Sequence, residues 1–178
     1  MILRGNRAIN KINEYLEDAP YERIQWFWFS GYMEFFKNQE DDWNYYSEAL
    51  IDENNNLQIF YALNFHRHMK YATLSLIVTE HNKINFFKII NYIKEKADKF
   101  KFIDYIEIRV ALKNEKMNNI MKKALKRYND LYFLGLSLNN QAKSILGEES
   151  PIVSYVYFLR NKDKYLNNFI KEIQTIGF

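Results

Sequence analysis

The six residues Glu80–Asn85 join an alternating strand to an amphipathic helix, a position where proteins bind phosphate groups. Unpaired backbone N–H groups and the helix dipole attract an anion to the N-terminus of such a helix. Loops that bring their backbone close to a pyrophosphate use glycine, because a side chain would stand in the way. No glycine occurs between Gly31 and Gly135. The junction therefore lacks the glycines that such a loop uses.

Glu80 is the acidic residue at the end of the central strand, beside the expected anion. A carboxylate held there could act as a general base and take a proton from a substrate. The position also suits a plain negative charge at a helix N-terminus, which the helix dipole stabilises. The sequence leaves both interpretations of Glu80 open.

Little in the sequence supports a metal site or a catalytic nucleophile. The histidines are His66, His68 and His81, and the first two could bind a metal if a third ligand reached them. Nothing in the sequence indicates such a ligand, so we predict a surface or turn role and expect no metal. The absence of cysteine excludes disulfides, thiolate catalysis and cysteine-ligated zinc. The glycine patterns of phosphate loops and nucleophile elbows are also missing.

Four consecutive aromatic residues provide the main signal for an interaction surface. Their periodic surroundings predict a helix over Tyr21–Lys37, and four adjacent rings cover more than half the circumference of a helix. At least one ring should then face away from the core, and Trp26, Trp28 and Phe29 are the interface candidates. The alternative is that the sheet and a C-terminal helix enclose the whole segment.

The composition indicates one globular domain over residues 1–178. Hydrophobic residues make up 48% and charged residues 26% of the 178 residues, which argues against long disorder. The net charge of +3 comes from interspersed acids and bases, so no nucleic-acid-binding stripe is indicated. No apolar run reaches the roughly 18 residues of a membrane span, and the N-terminus lacks the apolar region of a signal peptide. We expect a cytoplasmic protein, or a virion-associated one if it is phage-encoded.

Hydrophobic periodicity predicts a mixed α/β fold, an α+β-type sheet of about seven strands flanked by helices. A strand, a helix and a strand within about 40 residues require a crossover, which joins parallel neighbours. Asn-rich Asp52–Asn56 predicts a hairpin turn, and Asn139–Ser150 a polar loop. The predicted elements are, in order, strand Ile2–Arg4, a helix around Ile9–Leu16, helix Tyr21–Lys37, strands Tyr45–Ile51, Leu57–Phe65 and Ala72–Thr79, helix Phe86–Phe100, strand Ile103–Ala111, helix Met117–Tyr128, strands Leu131–Leu138 and Ile152–Leu159, and helix Asp163–Thr175.

This order of elements, from Met1 to about Leu159, resembles the GCN5-related N-acetyltransferase (GNAT) superfamily. The resemblance implies that acetyl-CoA or CoA lies in a cleft between Ala72–Thr79 and Ile103–Ala111. It implies that main-chain groups of Ile77 and Val78 hold the pantetheine arm. Lys83 and Asn85 would then meet the phosphates. Asn114, just before the Met117–Tyr128 helix, would either cap that helix or hydrogen-bond the cofactor arm.

The sequence also departs from the family pattern. Alignment of the helix stripe places His81 at the first position of the family's phosphate loop, and Ile84 and Phe86 at its two glycine positions. We expect Phe86 to obstruct the approach of a pyrophosphate. The position of the family's usual acid, a tyrosine, is Met121, and Tyr128 lies too far along the helix to replace it without a change of register.

Two functional interpretations follow. The first is a degenerate acetyltransferase-like domain retained as a structural or protein-interaction module, with a protein partner or self-association. Such domains also occur among bacteriophage internal and structural proteins. The second is an acyl-CoA-dependent N-acetyltransferase with a divergent cofactor loop, which transfers an acetyl group to an amine. The missing glycines and the missing tyrosine acid, in an otherwise intact order of elements, favour the first interpretation.

Overall fold

The computed structural model describes residues 1–18, 24–28, 45–143 and 149–168. The helices are α1 (Asn6–Asp18), α2 (Phe86–Ala97), α3 (Glu115–Arg127) and α4 (residues 162–168). The strands are β1 (Ile2–Arg4), β2 (Ile24–Trp28), β3 (Tyr45–Ile51), β4 (Leu57–His66), β5 (Tyr71–Thr79), β6 (Tyr105–Ala111), β7 (Leu131–Lys143) and β8 (Glu149–Phe158). A single 3-10 turn over Arg67–Met69 joins β4 to β5.

Seven strands form one mixed sheet in the order β1-β3-β4-β5-β6-β8-β7, and β2 pairs with β5 beside this row. The pair β5 and β6 is parallel, and the other neighbouring strands are antiparallel. The parallel pair arises because α2 carries the chain across the sheet between these strands. The predicted α/β fold with a mixed sheet is confirmed.

Helices cover both faces of the sheet. Helices α2 and α3 pack on one face, where Leu74, Leu76 and Val78 of β5 join the larger core. Helix α1 packs on the other face against a smaller core that includes Ile77. Because β5 is buried on both faces, its sequence is nearly continuous in apolar and small residues instead of strictly alternating.

A buried carboxylate, Glu48 of β3, joins elements that are distant in sequence. Its Oε1 accepts hydrogen bonds from Tyr46 Oη at 2.5 Å and Arg4 Nε at 2.9 Å. Its Oε2 accepts from Tyr61 Oη at 2.7 Å and Tyr92 Oη at 2.8 Å. Burial alone would raise the pKa of Glu48, but the hydrogen bonds from the tyrosines and Arg4 outweigh it and lower the pKa to about 2. The carboxylate therefore stays charged inside the protein.

The end of α2 is held by Arg160, which follows β8. Its Nη1 donates to the carbonyl oxygen of Phe100 at 2.9 Å and to that of Ile103. Its Nη2 donates to the Asp98 carbonyl at 2.9 Å and to Asp98 Oδ1 at 2.7 Å. Asp98 is the C-cap residue of α2, so Arg160 satisfies carbonyl groups that a helix end leaves open.

The hairpin between β3 and β4 turns as the sequence predicted. Asp52 Oδ1 accepts hydrogen bonds from the backbone N–H groups of Asn54 and Asn56, both at 2.9 Å. Asn55 has a φ of 63°, in the left-handed region that asparagine tolerates.

Two predicted boundaries are wrong. Residues 24–28 form strand β2 and not part of a helix, so the helical placement of Trp26 and Trp28 is corrected, whereas Phe29 lies outside the described residues. The polar loop predicted over Asn139–Ser150 is shorter, because β7 extends to Lys143 and β8 begins at Glu149. Of the predicted Asp163–Thr175 helix, residues after 168 are outside the description. No helix among the described residues is long and apolar enough to cross a membrane.

Candidate functional site: the β5 edge and the α2 N-terminus

Two different strands pair with one edge of β5, each over part of its length. Strand β4 runs along the first edge, from Tyr71 to Val78 of β5. On the second edge, β6 pairs in parallel only with Tyr71–Leu74. Strand β2 pairs antiparallel with β5 from Leu76 to Thr79. Because β4 already occupies the first edge, β2 must lie along the second, where β6 has separated from β5.

The predicted cofactor-holding residues of β5 lie in this β2–β5 ladder. Ile77 is opposite Phe27, and Val78 is opposite Trp26. The side chains of Ile77 and Val78 are buried on opposite faces of the sheet, so only their backbone could face a ligand in the cleft. The second edge at Ile77 and Val78 is thus paired with the chain's own backbone, at the place where the resemblance implied a pantetheine arm.

The junction after β5 is ordered by Asn82, which is almost completely buried. Its Nδ2 donates to the Ile84 carbonyl at 2.6 Å, and its Oδ1 accepts from the Ile84 N–H at 3.1 Å. Its backbone N–H donates to the Thr79 carbonyl at 3.1 Å. A side-chain amide therefore satisfies a loop N–H group that a glycine-rich loop would present to a phosphate.

Asn85 caps the N-terminus of α2. Its Oδ1 accepts a hydrogen bond from the Lys88 N–H at 3.0 Å. The side chains of Lys83 and Asn85 are exposed, so the structure places both predicted phosphate contacts on the surface at the start of α2. The amide of Asn85 satisfies one helix N–H group that would otherwise attract an anion.

Phe86, the residue expected to obstruct the approach of a pyrophosphate, lies in the core. Its ring is 4% exposed and belongs to the larger core, together with Ile89 and Ile93 of α2. Ile84 is half-buried and packs against the same core. The bulky residues at the two glycine positions are therefore used to anchor the loop to the core.

Glu80 links the end of β5 to α1. Its Oε2 accepts a hydrogen bond from Tyr15 Oη at 2.8 Å, and its Oε1 lies 3.3 Å from Nε2 of His81. The carboxylate is thus positioned by a phenol and an imidazole at the surface. This arrangement can hold a negative charge at the junction or relay a proton to His81.

The position of the expected acid carries no titratable group. Met121 is 1% exposed and lies in the core under α3. Tyr128, at the C-cap of α3, donates from Oη to the carbonyl of Phe87 in the first turn of α2 at 3.1 Å. Burial raises the pKa of Tyr128. Its hydroxyl group reaches the start of α2, a contact that sequence spacing did not predict.

The remaining sequence candidates have structural contacts of their own. Asn114 caps α3, and its Oδ1 accepts from the Met117 N–H at 3.1 Å. His66 ends β4 and stacks on Tyr71 with ring centroids 4.4 Å apart, whereas His68 lies in the 3-10 turn. Within the described ranges, no group of three or more His, Cys, Asp or Glu residues could hold a metal ion.

No protein-family model matches this chain, and no curated protein sequence matches it. Several solved structures match the chain in three dimensions. A chimera of the spermidine N-acetyltransferase SpeG from Vibrio cholerae with hSSAT matches with a TM-score of 0.63 and 15% identity, covering 94% of this chain and 98% of that one. SpeG from Vibrio cholerae in complex with manganese ions matches at 0.62 and 16% identity, over 94% and 95% of the two chains.

A dodecameric structure of spermidine N-acetyltransferase from the same organism matches equally well, with a TM-score of 0.62 and 15% identity over 94% and 96% of the chains. At these identities the likeness shows the fold alone. The chain has the acetyltransferase fold, and the resemblance inferred from the order of elements is confirmed at that level.

Proposed function

We propose that this chain uses the acetyltransferase fold as a protein-interaction scaffold and does not catalyse conventional acyl transfer from CoA. The observation that carries the proposal is the pairing of β2 with β5 at Leu76–Thr79. In the fold, that edge is where an extended cofactor arm is expected to hydrogen-bond. A strand already paired there must be removed before such an arm can bind.

Two further features support the scaffold. The Ile84 and Lys88 N–H groups at the start of α2 can donate to a phosphate only after losing the amide oxygens of Asn82 and Asn85 as acceptors. The expected acid position holds Met121, whose thioether cannot donate a proton. The scaffold would engage a protein partner or a second copy of the chain. A bacteriophage origin stays a prediction.

The second candidate is an acyl-CoA-dependent N-acetyltransferase, and the match to spermidine N-acetyltransferases over 94% of the chain favours it. In that case β2 leaves the cleft, Lys83 and Asn85 bind the phosphates, and Ile77 and Val78 hold the pantetheine arm. Asn114 could then turn from α3 to the cofactor arm. Glu80 and His81 are the groups placed to take a proton from an amine such as a polyamine.

Isothermal titration of the protein with CoA and acetyl-CoA distinguishes the candidates. Two variants extend the test. Phe27→Pro removes a backbone donor from the middle of β2 and should detach it, and Phe27→Ala, the matched control, keeps that donor. A CoA site would also raise the unfolding free energy by about 3 to 4 kcal/mol at 100 to 1,000 times the dissociation constant.

The scaffold proposal expects no heat of binding and no thermal shift for the wild type or either variant. Binding by the wild type overturns it in favour of the acetyltransferase. Binding by Phe27→Pro alone also overturns it, because the cleft would then be competent and merely closed by β2.

A further inference from the structure

A surface groove lies between α3 and the last strand of the sheet. Its volume is about 470 Å³. Val153 contributes to its lining from β8, Phe133 and Leu136 from β7, and Leu112 from the loop before α3. The remaining lining residues are Glu115, Asn118, Asn119 and Lys122 of α3. None of these residues belongs to the cleft at β5.

The β7 side of the groove exposes an unusual amount of apolar surface. The exposed fractions are 57% for Phe133, 62% for Leu134 and 46% for Leu136, and Leu112 in the loop before α3 is 45% exposed. The run Leu131–Leu136 has neither a charged residue nor a proline, the devices by which edge strands ordinarily avoid association. Among the described strands, β7 ends the sheet and none pairs with its outer edge. Clustered exposed apolar side chains at a sheet edge indicate a contact surface.

The α3 side of the groove carries one charge of each sign. Glu115, Asn118, Asn119 and Lys122 have i, i+3, i+4, i+7 spacing and share one helix face. Glu115 and Lys122 are about 10 Å apart along the axis, at 1.5 Å rise per residue. Neither forms a salt bridge within the part of the chain that the structure describes.

We propose that this α3–β7 groove is the interface with a second copy of the chain. The two copies pack about a two-fold axis, with their β7 edges antiparallel and Phe133, Leu134 and Leu136 of each copy buried against the other. The inference deepens the proposed scaffold function by naming its partner.

The charge pattern favours a second copy over an unrelated acidic or basic partner. In a two-fold contact whose axis passes midway between the two charges, Glu115 of each copy faces Lys122 of the other. A uniformly acidic partner would leave Glu115 unpaired or repelled, and a basic one would do the same to Lys122. The uncharged run Leu131–Leu136 of β7 is equally self-complementary, because the same patch meets itself across the axis.

Sedimentation equilibrium of the full chain tests the proposal, with concentrations up to about 100 µM, where a dissociation constant of about 1 µM leaves few monomers. The expected species has twice the monomer mass of 21.7 kDa. Phe133→Glu should weaken the dimer at least about 100-fold, because a central apolar anchor is lost on both sides of the axis. Met69→Glu is the matched control, since Met69 is 63% exposed outside the groove and should leave the dimer unchanged.

Charge reversal tests the arrangement independently of apolar burial. Glu115→Lys should weaken the dimer about tenfold, because two positive charges would then face each other at each of the two symmetric contacts. The double variant Glu115→Lys with Lys122→Glu should restore the wild-type dissociation constant. Far-ultraviolet circular dichroism and the thermal midpoint of each variant show that it is folded before its mass is interpreted.

A monomeric wild type at about 100 µM overturns the proposal. A dimer that Phe133→Glu leaves intact, or that the double charge variant fails to restore, overturns it as well. These outcomes do not bear on CoA binding. A dimer that binds CoA would overturn the scaffold function alone, and a monomer that does not bind CoA would overturn the dimer alone.

Discussion

The two ends of α2 are built in opposite ways. At its N-terminal end the loop is capped locally, because the amide oxygens of Asn82 and Asn85 accept hydrogen bonds from the Ile84 and Lys88 N–H groups. Its C-terminal end is bound to distant parts of the chain, through Arg160 after β8 and through Lys96, which donates to the buried Glu48 as Tyr92 does from the middle of the helix. The first end is where the fold would bind a cofactor, and the second is far from any expected chemistry.

This difference indicates which contacts of α2 contribute most to the stability of the fold. Local capping bonds contribute about 1 kcal/mol each, whereas breaking a buried charged cluster costs several. Since the larger contributions lie away from the junction before α2, that junction can differ from a glycine-rich loop without unfolding the protein. Four predictions test this comparison, from the largest expected effect to the smallest.

Glu48→Ala should lower the free energy of unfolding by about 3 to 5 kcal/mol, because three tyrosine hydroxyls and Arg4 would lose a buried acceptor. Urea unfolding followed by circular dichroism measures the change. Glu53→Ala is the control, since Glu53 lies on the exposed hairpin. A loss below about 1 kcal/mol for Glu48→Ala would show that the cluster does not hold this end of α2.

The Glu48 cluster should also make stability depend on pH. The folded-state pKa is lowered to about 2 from 4.5, so the carboxylate contributes stability above pH 4.5 that is lost as the pH falls towards 2. The linked loss is roughly 3 kcal/mol, at 1.36 kcal/mol per unit of pKa difference. Unfolding of the wild type and Glu48→Gln between pH 6 and pH 2 measures it. Equal slopes in the two proteins would contradict the prediction.

Arg160→Ala should cost about 2 kcal/mol, because carbonyl groups at the end of α2 lose a charged donor. Lys101→Ala is the matched control, since Lys101 also approaches Asp98 but is 77% exposed with a 3.9 Å contact. Thermal unfolding at neutral pH compares them. The prediction fails if the two variants lose the same stability.

Asn85→Ala should cost about 1 kcal/mol, the ordinary value of a lost N-cap. Asn54→Ala, in an exposed hairpin position, should be close to neutral. Urea unfolding again gives both values. If Asn85→Ala destabilised the protein as much as Glu48→Ala, the two ends of α2 would not differ in the way described.

The sequence predicted the frame of the molecule because periodicity records burial directly. Leu74, Leu76 and Val78 alternate in β5, and the Met117 and Met121 stripe marks α3, so the order of elements followed from local pattern. Segment 24–28 was misassigned because a short, ring-rich run with Gln25 as its single polar residue has no clear period, and its pairing with β5 is a tertiary event. The resulting occupation of the β5 edge could not be predicted from spacing.

The Glu48 cluster was missed for a related reason. An acid in a strand is usually exposed, and its partners Arg4, Tyr61 and Tyr92 lie far apart in sequence. The sequence placed Asn85 at the start of α2, where it caps the helix, but did not predict the hydrogen bonds of Asn82. Asn114 was correctly expected to be able to cap α3. Side-chain capping has a local signature, whereas a network across four elements does not.

Because β2 is joined to β5 by the chain itself, it competes with any ligand for the shared edge of β5. A segment joined to its binding strand by the chain itself acts at an effective concentration of about millimolar, and dilution of the protein does not reduce it. If pairing of β2 with β5 is favoured by 1.4 kcal/mol, the apparent affinity of another ligand for that edge falls about tenfold, and each further 1.4 kcal/mol lowers it by the same factor. The five residues of β2 therefore keep this edge of β5 closed to a second extended segment unless that segment reaches a comparable concentration.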